Sequence, residues 1–165
     1  MPTFEDINAV VDGMKAVLTT NIVSIGGTAG TTQILEGDEM PAAIRTFPTI
    51  YIIPLGGGPD QITTKQSGGP RFHEFSVILA GAYKSANIPS MLRTVRNYGY
   101  TAADLFSLSG QAVSGIYYDE DGDVDDTKSI KAYCVNPKIE TGYHQGKDFF
   151  ILTWSVEFGV KMVTL

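Results

Sequence analysis

The sequence predicts an α+β fold, a single domain whose mostly antiparallel sheet is packed by two helices and carries a long glycine-rich β-hairpin arm or loop. Three observations predict it. Residues 149–158 place Phe150, Leu152, Trp154, Val156 and Phe158 on one parity, the pattern of a core strand. Two other stretches, around Ile7–Leu18 and Leu92–Phe106, repeat apolar residues at spacings of three and four, the period of a helix. The β-rich runs Phe47–Ile53, Arg71–Tyr83 and Ser129–Glu140 supply further strands. The five core positions of the first strand are worth roughly 10 kcal/mol at about 1.5–3 kcal/mol each, an upper bound because unfolded chains are already compact.

Composition sets the class. At 165 residues and 43% hydrophobic, the chain fits one domain, and chains of this size bury roughly 70% of their unfolded surface. The single cysteine, Cys134, has no internal disulfide partner. Its place in an alternating run reads as a half-buried structural thiol in preference to a nucleophile. The start Met1-Pro2-Thr3-Phe4 lacks the basic residues and apolar run of a signal peptide, and no run of about 18 apolar residues occurs. A soluble intracellular protein with no membrane association is therefore expected. A net charge of −6 and a pI of 4.8 argue against a surface built to grip phosphates. Acidic walls that repel DNA remain compatible with them.

Taken in order, Thr3 and Asp6 resemble a helix-capping pair. Ile7, Val10, Val11, Met14, Val17 and Leu18 then form one stripe of an opening helix of about 16 residues. Gly13 inside it costs about 1 kcal/mol against alanine, which implies either close approach of another backbone or simple tolerance. Ile22–Ile25 and Thr31–Leu35, flanking Gly26–Gly30, read as two strands around a glycine turn, and Glu36–Pro41 as a loop. Phe47–Ile53 is expected to be an edge or bulged strand, because Pro48 and Pro54 donate no ladder hydrogen bond.

Residues 56–70 open Gly-Gly-Gly-Pro and close Gly-Gly-Pro. A phosphate-cradling loop would lead into a helix N-terminus, whereas this one leads into the strand carrying His73, Phe75, Val77 and Leu79 on one parity. A flexible arm over 57–69 that contacts another subunit is the preferred reading, with Gly57, Thr63, Lys65, Gln66 and Gly68 as contact residues, against a merely mobile surface loop. Asn87-Ile88-Pro89 starts the second helix, which carries Leu92, Val95, Tyr98, Ala102, Leu105 and Phe106 and ends near Ser109-Gly110. Arg93 and Arg96 lie off that stripe, a solvated or subunit-facing patch in preference to an anion site.

Val113–Tyr118 reads as a strand running into six carboxylates in eight residues, Asp119–Asp126. With Asp119 first, an EF-hand would need glycine where Val124 stands and glutamate where Ile130 stands, so calcium ligation yields to an exposed acidic turn. Asp119, Asp121 and Asp123 are its candidate contact residues. Ser129–Glu140, bent or bulged near Pro137, returns through a turn over Thr141–Lys147 into the core strand as a long terminal hairpin. The tail over 160–165 either completes the core or reaches a neighbouring sheet edge, and Val160 and Met162 are its candidate contacts in the second case.

Catalysis is not expected. The two histidines, His73 and His144, belong to no spaced metal motif, and no serine has a Gly-x-Ser-x-Gly context. No carboxylate pair can be placed about a scissile bond. No catalytic residue, cofactor or metal is assigned, and a monomeric binding module and an enzyme with an unrecognised site stay open as classes.

The order of elements resembles the tail terminator or tail completion proteins of tailed bacteriophages, which join head to tail. The resemblance rests on Phe4–Thr20, Phe47–Ile53, Arg71–Tyr83, Pro89–Ser109 and Ser129–Phe158 as a pattern of topology and not as a residue motif. It implies a virion protein, assembled in the host cytoplasm, that forms a ring of usually six subunits at the top of the tail tube. Its partners would be copies of itself, the tail tube protein and a head connector or neck protein, with DNA passing non-specifically through the lumen. Two features fit that group less well, the hairpin around Gly26–Gly30 and the acidic insertion, and either would suit a different phage neck or tube protein.

Overall fold

A computed structural model describes residues 4–37, 47–55, 71–86, 88–108, 112–146 and 148–164. The order is α1 (Phe4–Thr20), a 3-10 turn (Ile22–Ile25), β1 (Gln33–Glu36), β2 (Thr49–Leu55), β3 (Arg71–Ser85) and α2 (Ile88–Ala103). A π-turn (Asp104–Leu108) extends α2, and β4 (Val113–Ser114), β5 (Lys131–Gln145) and β6 (Phe150–Thr164) complete the chain. The six strands form one sheet in the order β1-β2-β3-β6-β5-β4. The fold is α+β, with a mixed sheet: β1 runs parallel to β2, and every other pairing is antiparallel.

β6 holds the sheet together. It pairs along its full length with β3 and, on its other side, with β5. Leu152, Trp154, Val156, Phe158, Val160 and Met162 all point from it into the core. The in-register neighbours Phe75, Val77, Leu79 and Tyr83 of β3 continue the same surface, as do Ile50 and Ile52 of β2. The side chain of His73, expected on this parity, lies outside the described residues.

Both helices pack on that face. Val10, Met14 and Leu18 of α1 are buried there at helical spacing. Glu5 and Asp6 occupy its first turn, where negative charge is favoured by the helix dipole; Thr3, expected as the cap, lies outside the described residues. At the end of α1, Thr19, Thr20 and Asn21 turn their side chains back onto the carbonyls of Lys15, Ala16 and Val17. Gly13 is explained by close approach: a Cβ there would strike the Ser114 carbonyl oxygen and come within 3.1 Å of the Val113 side chain. α2 lies over β6, β5 and β3 and contributes Val95, Ala102 and Ala103, followed by Phe106, whose ring meets Phe158 edge-on at 5.8 Å.

Several expectations need correction. Ile22–Ile25 is a 3-10 turn and not the first strand of a hairpin. Ile22 and Ile25, three apart, eclipse on one side of such a turn and are both buried. Gly26 closes the turn at φ +85°, and the rings of Tyr83 and Tyr98 occupy the space a side chain would need. The second expected strand survives as β1, which finds its partner in β2. A parallel pair needs a connection of about a dozen residues, and residues 37–48 supply it. Glu36, assigned to a loop, ends β1.

β2 is therefore an inner strand, buried from Thr49 to Ile53, and not an edge. Pro48 precedes it, and Pro54 lies two residues beyond the last β1 pairing, at Ile52, so both prolines fall at strand ends. The strand expected over Val113–Tyr118 shrinks to β4. The bulge near Pro137 is present as a register shift between Val135 and Lys138, with Asn136 at φ 54°, a conformation asparagine tolerates. β5 then runs on to Gln145, leaving a turn closed by the Gly146 N–H donating to the Phe149 carbonyl at 2.7 Å.

Candidate interaction surface

Residues expected to touch partners fall into three groups. Gly57, Thr63, Lys65, Gln66 and Gly68, with the whole glycine-rich arm, lie outside the described residues. Val160 and Met162 are corrected. They are 0% and 2% exposed in this chain's own core. β3 and β5 already take both hydrogen-bonding edges of β6 there, so the tail completes the core and offers neither residue to a neighbour.

Asp119, Asp121 and Asp123 do lie on the surface. Tyr118 and Val124 bridge the base of their turn, and the Asp119 N–H donates to the Asp123 carbonyl at 2.8 Å. One carboxylate oxygen of Asp119 accepts the N–H groups of Asp121 and Asp123 at 3.0 and 2.9 Å, so Asp119 organises the turn from within. Asp125 accepts the hydroxyl and N–H of Thr127, bonds that hold its carboxyl below the usual carboxylate range. Among the described residues no three His, Cys, Asp or Glu side chains are grouped to hold a metal ion.

This turn is tethered to the start of α1. The Ile116 N–H donates to the Ala9 carbonyl at 2.9 Å, and the Tyr117 hydroxyl donates to Asp6 at 2.6 Å. Burial, aided by that carboxylate, raises the Tyr117 pKa. Lys128 reaches Glu5 at 2.7 Å, a bond that raises the lysine pKa. The carboxylates of Glu120, Asp121, Asp123 and Asp126 enter no ion pair among the described residues.

A second polar surface lies on α2. Arg93, Arg96 and Tyr100, spaced three and four apart, are all exposed, with Tyr100 56% accessible. Among the described residues neither guanidinium has an ion-pair partner. The arginines were visible off the helical stripe, and Tyr100, two residues from both Tyr98 and Ala102, lies off it as well.

The sheet face turned away from the helices is mixed. On β2 and β3 it buries Tyr51, Ile53, Ala80 and Ala82. On β5 and β6 it carries Tyr133, Lys138, Glu140 and Glu157, all exposed, with Lys138 and Glu140 3.5 Å apart. Beside β1, Thr31, Thr32, Gln33, Phe47 and Pro48 line a half-open hollow of about 230 Å³, and none of these described lining residues is ionisable. His144 is exposed on β5, and Cys134 is buried, with its thiol pushed up to about 12 by that burial.

No helix among the described residues is long and apolar enough to cross a membrane. Compared with known proteins, the chain matches no family model and no curated sequence.

Proposed function

We propose that the chain is a subunit of a tail terminator or tail completion ring of a tailed bacteriophage. Six copies cap the tail tube and join it to the head connector, and DNA passes through the lumen. The observation that carries this reading is the order and layering of elements: an opening helix, short strands, a long β3, a second helix and a long terminal hairpin, with both helices on one face of the sheet. The family resemblance implies that order of elements, with a sheet packed by two helices. The hairpin that set the chain apart from that group is a 3-10 turn.

Charge supports the same reading. Each subunit carries −6, and a ring around DNA works with a wall that repels phosphates, so that the duplex slides instead of sticking. A ring also needs two different complementary patches per subunit, since its contacts are heterologous. The acidic turn and the arginine face of α2 are two such patches.

The test is the solution mass of the purified 17.8 kDa chain by light scattering over a concentration series, with negative-stain imaging and incubation with purified tail tubes. A closed species near six times the monomer mass, or capping of tube ends, supports the proposal. A strict monomer that also leaves tube ends bare overturns it in favour of a monomeric binding module.

A further inference from the structure

The exposed face of α2 carries chemistry that no ion pair among the described residues engages. Arg93 and Arg96 are one turn apart and Tyr100 follows one turn later, so two planar cations and an aromatic ring share one strip of helix surface. Among the described residues no carboxylate pairs with either arginine. Exposed arginines flanked by tyrosine combine bidentate carboxylate recognition with apolar contact area, and both residue types are enriched at protein interfaces.

The same chain carries the complementary surface. The turn at Asp119–Asp126 presents carboxylates that enter no ion pair among the described residues, flanked by exposed Tyr118 and Val124. It is held rigid by Asp119 and tethered to α1 through Tyr117 and Lys128. It belongs to the β4 side of the sheet, whereas α2 covers β6, β5 and β3. Among the described residues no ion pair joins the two, and both sets of charges are exposed.

We infer that the Arg93–Arg96–Tyr100 face of α2 docks the acidic turn of a second copy of this chain, head to tail. The inference rests on the ring reading, for which it supplies the repeating contact. Glu120, Asp121 and Asp123 meet the two guanidinium groups, and Tyr100 packs against Tyr118 and Val124. Such a contact is steered by charge and weakened by salt.

Charge reversal tests it. Arg93→Glu with Arg96→Glu is one variant, and Glu120→Lys with Asp121→Lys and Asp123→Lys is another; every position is exposed and none of these side chains bonds within the turn. Circular dichroism checks the fold, and sedimentation velocity reads assembly. Each variant should assemble at least about tenfold more weakly than wild type, and the chain carrying all five changes should recover assembly. Raising salt on the wild-type chain should weaken assembly in parallel, a readout that needs no variant. A wild-type ring unmoved by either reversal overturns this contact and leaves the ring reading standing. A wild-type chain that neither self-associates nor caps tubes overturns both.

Discussion

Trp154 donates its indole N–H to the Tyr83 hydroxyl at 2.7 Å, and that hydroxyl donates in turn to the carbonyl of Ile25. The chain of bonds crosses from β6 to β3 and then to the 3-10 turn, so one buried relay fixes three segments that are distant in sequence. Gly81 makes room for it, since a Cβ there would collide with the indole ring and with the Tyr83 hydroxyl. Burial is the main reason the Tyr83 pKa is raised, which keeps the hydroxyl a donor.

Replacing Tyr83 with phenylalanine should therefore do more than remove one hydrogen bond. It strands both the Trp154 N–H and the Ile25 carbonyl in a dry interior, at roughly 1–3 kcal/mol for each unsatisfied group. A loss of about 2–4 kcal/mol in urea unfolding is expected. A loss below about 0.5 kcal/mol would mean that the relay does not determine stability.

Gly13→Ala separates intrinsic propensity from packing. An exposed helix would gain about 1 kcal/mol from the change. Here the added methyl meets the backbone of Ser114 and the Val113 side chain, and overpacking costs about 1–3 kcal/mol. The backbone of β4 cannot yield as a flexible side chain would, so thermal denaturation should show a net loss. A rise in Tm would show that β4 moves away from α1 without penalty.

These two positions also show what could be read from sequence. The parity of Leu152, Trp154, Val156 and Phe158, the Pro137 bulge and the stripe of α2 are local patterns, and each appears in the fold. β1 was misjudged because its partner is β2, reached through residues 37–48, and nothing local distinguishes that pairing from a hairpin. Ile22 and Ile25 fit a β run as well as a single 3-10 turn. At the candidate surface, the acidic turn was legible from composition. That Arg93 and Arg96 find no ion-pair partner among the described residues depends on what α2 faces in three dimensions, which no spacing reveals.

Alkaline pH should destabilise the fold. Burial raises Tyr83 and Tyr117 above their ordinary 10.0 and pushes Cys134 from 9.0 up to about 12. In each case the unfolded chain releases its proton at lower pH than the folded one, so stability is complete below the unfolded values and falls as pH rises beyond them. Tm should be flat through neutrality and decline from about pH 9 upward. Cys134 should resist a thiolate-reactive disulfide reagent at pH 8 until denaturant is added. A native thiol reacting at the rate of free cysteine would refute its burial.

Truncation of residues 160–165 tests where the tail belongs. A segment that reached a neighbouring subunit could be removed from the isolated chain with little effect on its melting. Val160 and Met162 instead fill the core, and their strand is paired on both sides. Losing two large side chains at about 1.5–3 kcal/mol each, with the ladder that carries them, should lower stability by roughly 5 kcal/mol. Against a total of about 5–15 kcal/mol for a typical domain, that brings the monomer close to unfolding, visible as loss of the cooperative melt by circular dichroism. Milder substitution at the same site, Met162→Ala, should cost about 2–5 kcal/mol and leave a two-state transition. A truncated chain that melts like wild type would return the tail to the surface.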